Sequence, residues 1–456
     1  MRKFLIVAVT VAAMFNAFAG WEEQKESGQG TDTTKVEAAS TDVAEGRPGI
    51  GIKTIEVEVT ETDVWHRSTL TGNWNGKRDA LNERGVNVTL GYKADNISNL
   101  AGGLARRGSY LHNIDLLISA DAERLFGWSG ATFLIHAMSN NGAGFNRHVG
   151  DAQIASNIDA PKMTKLYQAL VLQNLMDGRL SLLAGLYDLS SEFYVVEPSQ
   201  LFLNRSFVVG KELAQTGHNG PSIFPTPSAA LRVRLQPSKA VAFQFAAFDA
   251  VPGSPSDPTA PSFFVSVEEG ALVIGEVSYR WNGMAEENIG EGQYAIGAWV
   301  YTSAFNEVHA NAATGKSVRS TANNGIYFLA EQVVFAEQEA QGLALFTRLG
   351  FANGSINQYN YNLSAGAVYT GVFPDRDADR LGVAFTHANN SGDYTRATLL
   401  SGSSVATGEL AIEFTYRAQV TPWLAVQPDF QYVIHPGTDP LIGNASVFGT
   451  RFEVGF

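Results

Sequence analysis

From residue 85 to the C-terminus the chain alternates. In ELAIEFTYRAQV, Leu410, Ile412, Phe414, Tyr416 and Ala418 share one face; Glu409, Glu413, Thr415, Arg417 and Gln419 share the other. ALVIGEVSYRW sets Val273, Val277, Tyr279 and Trp281 against Glu276, Ser278 and Arg280, and SAALRVRL sets Leu231, Val233 and Leu235 against Arg232 and Arg234. A period of two is that of an extended strand whose faces meet different surroundings. Sixteen such segments are read, near 85–94, 109–121, 130–139, 165–175, 179–188, 229–236, 240–249, 271–281, 292–303, 324–335, 342–352, 360–371, 380–389, 409–419, 422–433 and 447–456. Ahead of them, LTGNWNGKRDALNERGV (70–86) has the helical period. Trp74, Arg78 and Leu81 share a face, Asn73 is the expected N-cap and Gly85 the expected stop, which predicts one short helix over 74–84.

The connections sort by parity. Links after even strands are mostly short, as at 176–179, 336–342 and 420–423; those after odd strands are mostly long, as at 140–164, 189–228, 250–270, 304–323 and 390–408. A sandwich has no cause to sort its loops this way, whereas a membrane barrel carries tight turns on one rim and long loops on the other. An extended chain crosses a bilayer only as a closed barrel, because every backbone polar group must pair. The predicted fold is therefore all-β: a transmembrane antiparallel β-barrel of about 16 strands, wide enough for an aqueous lumen. In the closing SVFGTRFEVGF, Phe448, Phe452, Val454 and Phe456 are expected to face lipid, and Arg451 and Glu453 the water inside.

The N-terminus adds an address. Arg2 and Lys3, the apolar run Phe4 to Phe18 and Ala17-Phe18-Ala19 form the pattern of a cleaved export signal over 1–19. Residues 20–69 are acidic and are expected to form a flexible periplasmic segment, with the barrel unit over 70–456. A formal charge of −13 argues against nucleic acid as a partner, and the absence of cysteine removes disulfides, thiol nucleophiles and Cys-based zinc. The eight histidines are scattered without metal-ligand spacing, so no metal or cofactor is expected. ANAATGKS (310–317) approaches a nucleotide-binding loop but lacks the strand before and the helix after it.

Residues 189–228 are too long and too apolar for a solvated loop. They are read as a constriction folded into the lumen, with Glu192, Phe193, Tyr194, Phe202, Asn204, Arg205 and Phe207 as its candidate residues. Arg232, Arg234, Glu276, Arg280, Glu331, Arg348, Glu413 and Arg417 are the candidate pore-lining groups, suited to hydrogen-bond sugar hydroxyls. Any water-filled barrel also carries a charged lining, so the pattern alone does not single out a sugar.

The chain resembles the carbohydrate-selective porins of the OprB type. The likeness runs from Leu70 to Phe456 and rests on LTGNWNGKRDALNERGV, GRLSLLAGLYD, LFLNRSF, YFLAEQ, FPDRDADRLGVAF and above all YRAQVTPWLAVQPDFQYVIHP. It implies a sixteen-stranded barrel in the outer membrane of a Gram-negative-type bacterium that admits glucose-like monosaccharides by passive diffusion and is not an enzyme. It also implies that the terminal aromatic Phe456 marks the chain for the barrel-assembly machinery. The partners implied are small sugars and outer-membrane lipid, with monomer and homotrimer both open. A general porin and an exported, non-transporting glycan-binding β-protein are the alternative readings.

Overall fold

The computed structural model describes residues 63–456, apart from 143, 254–256, 258–268, 283–289, 309–318, 321–322 and 339–340. Residues 1–46 form one unit and 47–456 another, and every described residue belongs to the second. The export signal, most of the acidic segment and the ANAATGKS stretch lie outside the described residues.

Sixteen strands close into an antiparallel barrel in which each pairs with its neighbours in sequence and the first pairs with the last. They are β1 (Val86–Ala101), β2 (Gly108–Asp121), β3 (Ala131–Asn141), β4 (Met163–Leu175), β5 (Leu180–Tyr187), β6 (Ser228–Leu235), β7 (Val241–Asp249) and β8 (Ala271–Trp281). The second half comprises β9 (Gly292–Tyr301), β10 (Asn323–Gln338), β11 (Gln341–Ala352), β12 (Tyr359–Thr370), β13 (Arg380–Asn390), β14 (Gly408–Thr421), β15 (Leu424–Ile434) and β16 (Ala445–Gly455). All sixteen alternating segments are strands. A two-stranded pair, Phe305–Asn306 with Arg319–Ser320, lies in the loop after β9.

The faces are inverted relative to a water-soluble protein. On β6 the apolar Leu231 is 66% exposed and the cationic Arg232 only 2%. Val233, Phe243, Phe245, Val273, Val277, Ile296, Phe328, Val383, Phe414, Phe448 and Phe452 are likewise exposed, while Gln244, Glu276, Arg348, Glu413 and Arg451 are buried. Closure leaves no edge strand, and the outward band supplies the apolar surface that lipid requires. At the seam, Asp95 of β1 faces Arg451 of β16 in register, and Arg451 donates to both carboxylate oxygens at 2.7 and 2.8 Å.

The N-terminal helix is shorter than its sequence signals. It spans Lys77–Glu83 (α1) and begins one turn later than Asn73, because Trp74, Asn75 and Gly76 all adopt left-handed backbone conformations ahead of it. Asn73 still caps from a distance, accepting the Asp79 N–H at 3.1 Å, and Gly85 provides the left-handed stop (φ +86°). The segment leans on the C-terminus: Leu70 N–H donates to the Gly455 carbonyl (2.8 Å) and Arg78 to the Phe456 carbonyl (2.7 Å). Phe456 N–H in turn donates to the Leu90 carbonyl of β1 (2.9 Å).

Candidate functional site

The connection after β5, residues 188–227, enters the barrel and packs against its inner wall. Its aromatic content explains this. Phe193, Tyr194, Phe202 and Phe207 have no exposed surface, and each buried ring of this kind contributes about 1.5–3 kcal/mol. Tyr194 meets Tyr327 at 4.5 Å between ring centroids, Phe202 meets Phe346 at 5.8 Å, and Phe193 and Tyr187 pack on Phe248. The wall thins to receive the loop: a Cβ at Gly382 would sit 2.7 Å from Leu201 and 2.8 Å from Phe202.

An apolar core alone would leave the loop's backbone groups unpaired in a dry interior, a cost of about 1–3 kcal/mol for each. The inward charges meet that need. Glu276 accepts the Tyr194 N–H at 3.1 Å, Glu331 the Glu197 N–H at 2.6 Å, and Glu413 the N–H groups of Leu203 and Asn204. Arg348 donates to the carbonyls of Ser206 (3.1 Å) and Phe207 (2.9 Å) and to Ser199 Oγ (2.9 Å). Gln244 and Gln427 donate to the carbonyls of Glu192 and Leu201. Arg232 forms a two-pronged ion pair with Glu192 at 2.6 and 2.7 Å. Arg232, Glu276, Arg348 and Glu413 are therefore corrected from groups facing open water to groups buried beneath the loop.

A second connection also folds inward, burying Phe145, Val149, Ala155 and Ile158 against the wall, which its mixed sequence did not signal. In residues 142–162, Ala152 and Gln153 donate their N–H groups to Glu409 at 2.7 and 2.9 Å. The Ala155 carbonyl accepts from Gln431 at 2.7 Å, while Ser156 and Asn157 bond to Asp95 and Arg451 at the seam. The two loops join where Arg205 N–H donates to the Ile154 carbonyl (2.9 Å) and Asn157 N–H to that of Leu203 (2.7 Å). Asn204 holds a turn, accepting the Ser206 N–H at 3.0 Å, and Arg205 reaches the Asp159 carbonyl with its guanidinium 5.7 Å from the Phe224 ring.

The remaining candidates gather towards the rim of short turns. Arg234, Arg280 and Arg417 are half-buried near the ends of β6, β8 and β14, and Arg417 pairs with Glu453 at 2.8 Å. Arg380, at the start of β13 and opposite Arg417 in register, joins them without having been singled out in the sequence. Its inward position on an alternating strand was the available signal.

Within the inserted loop, burial pushes the Glu212 carboxyl up to about 7, against a hydrogen bond from Tyr194 and the nearby charge of Arg348. Gly350 gives that carboxylate its place, since a Cβ there would lie 1.9 Å from Glu212 Oε1. In the other loop, burial and then Glu409 hold Asp151 well above the usual carboxylate range.

A family model described as "Carbohydrate-selective porin, OprB family" matches residues 105–456. Porin B of Pseudomonas aeruginosa is 25% identical over 422 residues, covering 85% of this chain and 91% of that protein. A putative porin, QuiX, of Acinetobacter baylyi is 20% identical over 428 residues, covering 86% and 95%. The high-pH structure of Pseudomonas putida OprB matches with a TM-score of 0.77 and 23% identity, over 86% of this chain and 99% of that one.

Proposed function

Since the chain belongs to the carbohydrate-selective porin family, OprB, and is a sugar channel of the Gram-negative outer membrane, we propose that it passes glucose-like monosaccharides by passive diffusion through a lumen narrowed by its two inserted loops. The observation that carries this reading is the docking of residues 188–227 onto inward charges, which turns a sixteen-stranded barrel from a wide hole into a restricted one. Beyond the loops, Arg234, Arg280, Arg380 and Arg417, with Glu453, offer donors and acceptors to sugar hydroxyls. Such contacts must be brief for a solute to leave again. No bond is made or broken in this reading; selection is by size and hydrogen bonding. Phe456 is proposed to act in assembly of the barrel and not in transport.

Swelling of liposomes carrying the purified protein tests the proposal. Glucose is expected to enter faster than a disaccharide of the same family of hydroxyls. Entry no faster than into protein-free vesicles would refute the channel reading, and equal entry of both sugars would refute the monosaccharide preference.

A further inference from the structure

A cavity of about 180 Å³ lies between the two inserted loops, lined from one side by residues 152–154 and from the other by residues within 205–226. One part of its wall is apolar, formed by Val209, Ala214, Pro221, Ile223, Phe224 and Pro225. The other part carries two cations, Arg205 and Lys211. Their bonding leaves both with capacity. Among the described residues Arg205 donates its side chain only to the Asp159 carbonyl, and its Nε is buried without a partner. Lys211 rests 5.8 Å from the Tyr359 ring and makes no hydrogen bond among the described residues.

The neighbouring acids do not cancel these charges by direct pairing. Both oxygens of Asp159 are taken by the N–H groups of Gly144 and Asn146, and those of Glu409 by Ala152, Gln153 and Gly437. Asp151 is buried with neither oxygen bonded, and its burial favours the neutral form. The cavity thus joins an apolar face, which suits the C–H side of a sugar ring, to two cations that keep spare donor capacity. A neutral sugar would leave both cations unpaired, whereas a ring bearing one carboxylate would meet each with a charge-assisted hydrogen bond.

We propose that this cavity is a binding station for sugar acids, cyclic hexuronates in which a carboxylate replaces the terminal hydroxymethyl, held by Arg205 and Lys211 with the ring against Phe224. The proposal rests on the channel reading above and refines its substrate class. Planar-bilayer recordings at neutral pH, with D-glucuronate and D-glucose as the probes, test it through the ratio of their half-blocking concentrations. Glucuronate is expected to block at about one tenth of the glucose concentration or lower, the scale of one charge-assisted hydrogen bond. In Lys211→Gln that ratio is expected to collapse about tenfold towards unity, and in Lys211→Arg to be retained, because only the charge is needed. Raised salt is expected to weaken glucuronate block more than glucose block. Equal block by the two sugars in the unaltered protein, or an unchanged ratio in both Lys211→Gln and Arg205→Gln channels, would overturn the proposal. Arg205 joins the loops, so its variant counts only if heat-dependent gel mobility shows a folded barrel, and Lys211→Gln decides the matter otherwise. Failure of glucose to enter vesicles at all would instead overturn the channel reading, so the two ideas fail separately.

Discussion

A single residue, Arg348, shows how wall and loop depend on each other. Fully buried on β11, it donates to two loop carbonyls and one loop hydroxyl. Arg348→Met would leave those acceptors orphaned and is expected to weaken docking of the loop by about 3 kcal/mol. Single-channel recording should then show larger, noisier openings, with the barrel's own thermal unfolding little changed. Glu212 gives a pH-dependent version of the same effect. Its carboxyl is raised from an ordinary 4.5 to about 7 by burial, so the folded loop holds that proton more tightly than the free chain does. The stabilisation is complete below about pH 4.5 and is lost as pH rises through about 7, the sign for a raised pKa. Protection of residues 188–227 against hydrogen exchange, taken relative to the base-catalysed intrinsic rate at each pH, is therefore expected to be greater at pH 5 than at pH 8, and Glu212→Gln should flatten that difference. Alternation along the strands already set Arg232, Glu276, Arg348 and Glu413 on the inner face. It could not say what they would meet there, because a period of two distinguishes two faces but not water from a folded backbone. Arg234, Arg280 and Arg417 stay half-buried because they lie towards the rim of short turns.

At the level of elements, the strands were the most legible part, since lipid outside and polar groups inside impose a strict binary pattern on each. The loop after β5 was legible for a different reason, its surplus of Phe and Tyr. Residues 142–162 were not, because their few apolar residues, Phe145, Val149, Ala155 and Ile158, are spread among polar ones, and much of the docking is backbone pairing with Glu409 and Gln431. The start of α1 was also missed. Three consecutive left-handed residues, two of them non-glycine, are a conformation that propensity disfavours and tertiary contacts impose. That strained turn sets Arg78 to reach the Phe456 carbonyl, with Trp74 4.3 Å from its guanidinium. The helix and its leader thus brace the seam between β1 and β16 at its terminal end. Arg78→Ala is expected to lower the temperature at which the folded gel band converts to the unfolded one by about one degree, the scale of about 1 kcal/mol for one hydrogen bond in a barrel of this size. Deleting Phe456 removes a further seam bond to Leu90 and should reduce assembled protein in the outer-membrane fraction more than it alters sugar flux through barrels that do assemble.

For the whole molecule, strand number and pore size are separate quantities. Sixteen strands set the circumference, and in the function proposed above the two inserted loops set the opening. Replacing residues 190–226 by a short glycine-serine link should leave the barrel in place and raise conductance several-fold, with monosaccharide and disaccharide entering alike; an unchanged conductance would show that the loop does not limit the path. The docking has one further consequence. Glu276, Glu331, Glu409, Glu413, Gln427 and Gln431 all grip peptide N–H or C=O groups, which every residue except proline presents in full whatever its side chain. Apart from the buried rings of Phe193, Tyr194, Phe202 and Phe207 and the Arg232–Glu192 pair, the barrel therefore addresses its loops by main-chain shape and not by the identity of the remaining side chains. Those side chains can be rewritten, by mutation or by design, without releasing the grip, so the scaffold behaves as a socket into which new selectivities can be fitted.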